Sequence, residues 1–170
     1  DEIFFTSGAT EANNLAIFGA VNAKRRQGNK IVTTAIEHPS VLESVKELEK
    51  QGFQVVYIKP ENGEITPQQF ADSNNKKTIL VSAMTVNNET GLVIPTEKIP
   101  AIIKRKKSPA LFHTDFVQGY GKLSCRVKKI GCDLLTVSAH KVHGPKGVGA
   151  LYVKKGTRIL PRVFGGMQEG

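Results

Sequence analysis

Long hydrophobic runs are missing from this 170-residue chain, and its N-terminus lacks the basic-then-apolar order of a secretory signal. Both absences speak against a transmembrane or secreted protein. Cysteine is scarce as well. Cys125 and Cys132 stand seven residues apart, a spacing that fits neither a CxxC redox pair nor a zinc ribbon. They are expected to be ordinary reduced thiols of a cytoplasmic protein, and neither is expected to be a nucleophile. There is no Walker G-x-x-x-x-G-K-[ST] element, and the first strand-like segment is not followed by G-x-G-x-x-G, which weakens a nucleotide-binding reading. His140 and His143 lie close in sequence, but no nearby ligands complete a tetrahedral zinc set, so no metal site is expected. No low-complexity stretch occurs; with 39% hydrophobic and 23% charged residues, the composition is that of a globular protein.

What is present in excess is positive charge, a formal +9. That permits nucleic-acid binding, yet the densest run, Lys104-Arg105-Lys106-Lys107, falls at the end of an expected helix, where cations complement the C-terminal dipole. A solvated helix end is the preferred reading, and nucleic acid is not indicated. The length fits one domain, 1–170. The chain opens on Asp1 directly before a strand and stops in Gly165-Gly166-Met167-Gln168-Glu169-Gly170, so a fragment of a longer protein is expected.

Seven short apolar segments recur: Ile3 to Thr6, Lys30 to Ala35, Gln54 to Ile58, Thr78 to Ala83, Ala110 to Thr114, Asp133 to Val137 and Gly149 to Val153. Several are near-continuous in Ile, Val, Leu or Phe, the pattern of strands buried on both faces of a parallel sheet. Helix signals lie between them. Leu15, Phe18 and Val21 give a helical spacing in a segment running to about Arg26, with Gly28 as its stop. Ser40 and Glu43 match a capping box, as do Thr66 and Gln69 with Pro67 in the first turn. A further helix follows Thr96, with Ile99, Ile102 and Ile103 inward. This alternation predicts an α/β fold: an open, mostly parallel seven-stranded sheet with helices on both faces and its ligand outside the carboxyl ends of the strands.

The polar segments fall at those ends. Lys141 follows the apolar run Leu134, Leu135 and Val137, with Ser138 and His140 just before it and a glycine-rich turn, Gly144 to Gly149, just after. An amine so placed suits attack on the carbonyl of a phosphorylated cofactor, although a surface lysine in a basic loop is the plain alternative. Thr6-Ser7-Gly8-Ala9-Thr10-Glu11 offers small residues and free N–H groups at a helix start, suited to a phosphate or to a simple cap. His38 follows the second strand; a lone histidine is often structural, but the binding edge gives it a functional alternative. Thr85 to Gly91 holds amides that bind an oxygen substituent or make a turn. Asp115 comes just after the fifth segment, where a carboxylate can keep a pyridine nitrogen protonated or close a strand-end turn.

Taken together, these segments resemble the cysteine desulfurase family, within the class-V aminotransferase-like branch of pyridoxal-phosphate enzymes of fold type I. The resemblance is carried by Thr6-Ser7-Gly8-Ala9-Thr10-Glu11-Ala12-Asn13-Asn14-Leu15, Glu37-His38, Val86-Asn87-Asn88-Glu89-Thr90-Gly91, His113-Thr114-Asp115 with Gln118, and Ser138-Ala139-His140-Lys141 with Gly144-Pro145-Lys146-Gly147. It implies a cofactor-binding large domain with one antiparallel strand in its sheet. It also implies pyridoxal 5'-phosphate on Lys141, which doubles as the base at the substrate α-carbon, with Asp115 partnering the pyridine nitrogen and His38 stacked on the ring. Ala9, Thr10, Ser138 and His140 would correspond to the phosphate cradle, and Asn88 and Gln118 to groups near the phenolic oxygen. The catalytic set is then Lys141, His38 and Asp115. The implied reaction takes sulfur from L-cysteine, leaving L-alanine and an enzyme persulfide that serves a sulfur-acceptor protein, as in iron–sulfur cluster assembly; family members are homodimers.

Two departures from the family stand out. Phe116 follows the aspartate where a small residue is usual, and strand alternation predicts that it points away from the ring. The family's persulfide cysteine and substrate-carboxylate arginine lie in a C-terminal region that this sequence does not include, so the 170 residues alone are expected to be inactive. Alternatives within the superfamily are a selenocysteine lyase, an aminotransferase or an epimerase, with Gly165 to Gly170 leaning toward the desulfurase. A noncatalytic nucleotide- or nucleic-acid-binding module is the alternative outside it.

Overall fold

The computed structural model describes residues 2–166. The strands are β1 (Ile3–Thr6), β2 (Lys30–Thr34), β3 (Gln54–Ile58), β4 (Thr78–Ser82), β5 (Leu111–Asp115), β6 (Leu134–Ser138) and β7 (Gly149–Val153). They form one seven-stranded sheet in the order β1-β7-β6-β5-β4-β2-β3. β2 to β6 run parallel, while β7 is antiparallel to both β6 and β1. The expected α/β class and the single antiparallel strand are both found.

The helices are α1 (Ala9–Lys24), α2 (Pro39–Lys50), α3 (Pro67–Ser73), α4 (Ile99–Arg105) and α5 (Val127–Ile130). They divide between the faces because strand residues alternate sides. Leu80, Leu111 and Leu134 pack with Ala16, Ile17 and Val41 in one core, under α1 and α2. Val81, Phe112 and Leu135 pack with Phe70, Ile99 and Ile130 in the other, under α3, α4 and α5. The two helical layers leave the carboxyl ends of β1, β2, β4, β5 and β6 on one edge of the sheet.

Several local expectations need correction. The second, fourth, fifth and sixth strands each differ by one residue, so Asp115 and Ser138 are the last strand residues of β5 and β6 rather than loop residues beyond them. Helix α1 ends at Lys24 rather than Arg26; Phe18 and Val21 are buried as expected, together with Ala12, Ala16, Ile17 and Ala20, while Leu15 is only partly covered. Ser40 does not cap α2. Pro39 fits the first helical turn, so the cap is His38, whose Nδ1 accepts the Ser40 N–H at 3.1 Å. The Thr66 capping box forms as expected: Thr66 Oγ1 accepts from the Gln69 N–H, and the Thr66 N–H donates to Gln69 Oε1 at 2.9 Å. Ile99 and Ile102 are buried as expected, and Lys104 and Arg105 do close α4. The short α5 went unforeseen, being too brief for periodicity to reveal.

Candidate functional site

The register of the sheet assembles the site. Gly149, at the start of β7, pairs with Thr6 on one side and with Ser138 on the other. The turn into α1 and the lysine segment are thereby set side by side. A side chain at Gly149 would have no room: its Cβ would lie 2.7 Å from the Gly8 backbone and 2.9 Å from Thr6 Oγ1. Gly8 itself has φ 153° and ψ 179°, a conformation open in practice only to glycine.

No side chain among the described residues caps α1. Among the described residues the N–H groups of Ala9, Thr10 and Glu11 have no acceptor, so the positive end of a sixteen-residue helix opens onto the sheet edge. Ser7 is not available to join them, since Glu11 Oε2 accepts its N–H and its hydroxyl, each at 2.7 Å. Those two hydrogen bonds hold the Glu11 carboxyl below its usual range.

A cleft of about 360 Å³ opens at this edge and is bordered by Ala9, Thr10, His38, Asn88, Asp115, Gln118, Ser138, His140 and Lys141. Every residue expected from the sequence to meet a cofactor thus borders one space. Lys141 sits in a 3-10 turn, Ala139–Val142, directly after β6. It is exposed, and among the described residues its amine has no hydrogen-bond or ion-pair partner. Ser138 Oγ lies 2.8 Å from His140 Nδ1, which orients that imidazole beside the helix start. Gln118 Oε1 accepts from Lys122 Nζ at 3.1 Å, leaving its amide nitrogen free to donate. In the loop after β4 the two asparagines separate by role. Asn87 Oδ1 accepts the Glu89 and Thr90 N–H groups and builds the turn, while Asn88 faces the cleft.

Asp115 is 5% exposed. Burial raises its pKa, opposed by the hydrogen bonds from the Asn13 amide and the Val117 N–H. Its Oδ2 accepts from Asn13 Nδ2 at 2.9 Å and its Oδ1 from the Val117 N–H at 3.0 Å. Phe116 points to the opposite face, into the core beneath α3 and α4, so the departure at that position leaves the cleft untouched. Two residues behind Asp115, His113 bridges three strands, with Nδ1 2.8 Å from Ser82 Oγ and Nε2 3.1 Å from Thr136 Oγ1. Burial pushes its pKa down to about 3, so it is neutral at physiological pH.

Sequence reasoning assigned no role to Asn13 or Glu37. Asn13 was visible only as part of a motif, because nothing in a helical pattern says that one amide reaches a strand 102 residues away. Glu37 is buried and accepts from Thr34 Oγ1 at 2.5 Å and from the Met84 N–H at 2.8 Å. Burial pushes its pKa up to about 8 against those two hydrogen bonds, with Asp115 adding to the rise. It ties the His38 loop to the end of β4. Cys125 and Cys132 do not border the cleft, and burial raises both thiols, Cys132 to about 12. No cluster of three metal-ligating side chains occurs among the described residues.

An α/β sheet with a lysine, an aspartate and an open helix N-terminus around one cleft defines a recognisable class of protein. The aminotransferase class-V family matches residues 1–169, and the chain belongs to that family. It is 46% identical over 170 residues to the cysteine desulfurase IscS of Dictyoglomus turgidum, with 99% of this chain and 43% of that protein covered. To the mitosomal cysteine desulfurase of Trachipleistophora hominis it is 49% identical over 173 residues, covering 99% of this chain and 39% of the relative. The solved structure of a NifS-like protein superposes with a TM-score of 0.93 at 41% identity, over 99% of this chain and 46% of that one. That of SspA in complex with cysteine superposes with a TM-score of 0.91 at 40% identity, over 98% and 48%. The chain therefore spans less than half the length of these relatives. The expectation drawn from Gly165 to Gly170 falls largely on residues 167–170, outside the described residues.

Proposed function

We propose that the chain is the cofactor-binding large domain of a cysteine desulfurase that uses pyridoxal phosphate, and that the whole protein takes sulfur from L-cysteine and passes it to an acceptor protein. The observation that carries this reading is the single cleft bordered by an unpaired lysine amine, a buried aspartate, a histidine and the uncapped start of α1. The similarity to proteins named cysteine desulfurase and to a structure containing cysteine supports the choice of substrate. The donor set fits the cofactor chemically. An anion is accommodated by the free N–H groups of α1 together with Thr10, Ser138 and His140, and a ring nitrogen that must carry a proton is matched by a carboxylate buried away from water.

When bound, pyridoxal phosphate supplies an aldehyde for amines and an electron-accepting ring. The work of the chain is then divided among its own residues. Lys141 Nζ holds the cofactor and moves the substrate α-proton, a task suited to an amine without a carboxylate partner. Asp115 would keep a proton on the ring nitrogen, and its two hydrogen bonds hold the carboxyl fixed and oppose the rise in pKa that burial causes. His38 would help to orient the ring, while Asn88 and the free amide nitrogen of Gln118 would be available to its phenolic oxygen. The sulfur-accepting cysteine is proposed to be neither Cys125 nor Cys132, because neither borders the cleft. A homodimer is proposed, as in the resembled family.

The test is turnover of L-cysteine by the whole protein loaded with cofactor, with alanine and protein-bound sulfur measured together. Equal amounts of the two are expected, and loss of both in Lys141→Ala. Turnover that survives Lys141→Ala, or none with the unaltered protein, would overturn the reading.

A further inference from the structure

His38 and Asp115 reach the cleft from different elements, yet two side chains outside the cleft join them. Asn13 is fully buried in α1. Its Nδ2 donates to Asp115 Oδ2 at 2.9 Å and to Ser40 Oγ at 2.8 Å. Ser40 Oγ lies 2.8 Å from His38 Nδ1, and the Ser40 N–H donates to the same nitrogen at 3.1 Å.

The direction of each bond follows from what the atoms can do. An amide nitrogen only donates, so Asp115 Oδ2 and Ser40 Oγ both accept. The reverse orientation of the amide would set Asn13 Oδ1 against the Asp115 carboxylate, oxygen against oxygen. Because the Ser40 N–H donates to His38 Nδ1, that nitrogen is an acceptor, and the Ser40 hydroxyl, accepting from Asn13, turns its own hydrogen toward it. That nitrogen then receives two donors and carries no hydrogen, so the hydrogen of the neutral imidazole is on Nε2. The chain of bonds runs in one sense from Asn13 to both ends, and it ties α1, the cap of α2 and the end of β5 together.

We propose that Asn13 and Ser40 are positioning residues that link Asp115 to His38 as one directed hydrogen-bond chain, fixing the carboxylate and the imidazole tautomer presented to the cofactor. The proposal rests on the cofactor reading above for its purpose, but its geometry is testable without cofactor. A purely structural role for Asn13, as a link between helix and sheet, would not transmit an effect to His38, which it does not touch.

The experiment is nitrogen NMR of the whole protein labelled with ¹⁵N at histidine, with the resonances of His38 and His113 assigned by substitution, first without cofactor. His38 is expected with an unprotonated Nδ1 and a protonated Nε2. Asn13→Leu, which keeps the side-chain bulk, should move the His38 Nδ1 resonance, whereas the same change made in a Ser40→Ala background should leave it in place. Buried His113 reports whether each variant is folded, and Asn13→Ala repeats the test if the leucine is not accommodated. Pyridoxal phosphate titration should then show affinity reduced about tenfold in Asn13→Leu, the worth of one hydrogen bond to a charged group. A hydrogen on Nδ1 in the unaltered protein would overturn the proposal whatever the variants do. So would a His38 resonance indifferent to Asn13, or equally responsive in both backgrounds. If the unaltered protein takes up no cofactor on Lys141, the functional reading fails while the NMR still decides the hydrogen-bond chain.

Discussion

Asp115 and Glu37 are two buried carboxyls whose surroundings set them to different tasks. Each accepts two hydrogen bonds that oppose the effect of burial, but Asp115 takes one on each oxygen, whereas Glu37 takes both on Oε1, leaves Oε2 without a partner among the described residues and is raised to about 8. Asp115→Asn should therefore lower turnover at least about a hundredfold, the scale of losing one preorganised electrostatic contact, while Ala9, Thr10, Ser138 and His140 still retain most of the cofactor. Kinetics and a cofactor titration on the same preparation check it, and near-normal turnover would exclude the role. For Glu37 the consequence is one of stability. Its folded pKa lies above its unfolded one, so the proton it holds contributes fully below about 4.5, and that contribution is lost as pH rises through about 8. Asp115, also raised, adds a slope of the same sign. Glu37→Gln should flatten the fall in stability across that window by up to a few kcal/mol, read from urea unfolding at several pH values. An unchanged slope would mean that Glu37 is ionised when folded. At this scale the residues that border the cleft were legible because their chemistry is unusual for strand ends. Asn13 and Glu37 were not, since their roles depend on partners brought near only by folding.

The elements place these residues through two close approaches. Gly149 packs its backbone on Gly8 and so sets the start of α1 beside Ser138. Gly149→Ala should force β7 away from that turn, costing about 1–3 kcal/mol as overpacking does and weakening cofactor binding in parallel. Denaturation and cofactor titration should move together, and a stable variant with normal affinity would contradict the account. Thr66→Ala is the contrasting case, removing one cap on α3, far from the cleft. It should cost about 1 kcal/mol with no change in cofactor affinity. The difference in legibility between the two caps is physical. Thr66, Pro67 and Gln69 form a self-contained box, whereas Ser40 and Glu43 only mimic one. With His38 as cap, α2 begins at Pro39, two residues earlier than a Ser40 cap would start it, and Ser40 is engaged by Asn13 and His38 instead.

For the whole molecule, near-continuous apolar strands separated by helices were enough to predict a mostly parallel sheet, because strands covered on both faces must be apolar on both. The parity of β5 then decides what the sheet offers: Phe112 and Phe116 enter one core while Asp115 faces the α1 side and the cleft. The strand order, and with it the meeting of Thr6, Gly149 and Ser138, needed the structure, since β1 and β6 are joined only through the late antiparallel β7. The central claim is that this edge exists to hold a cofactor on Lys141 opposite Asp115. Borohydride reduction of the protein equilibrated with pyridoxal phosphate, followed by peptide mapping, tests it most directly. The account predicts one reduced cofactor per chain, attached to the peptide containing Lys141 and absent in Lys141→Ala. Label on a different lysine, or none on a folded and saturated protein, would contradict it.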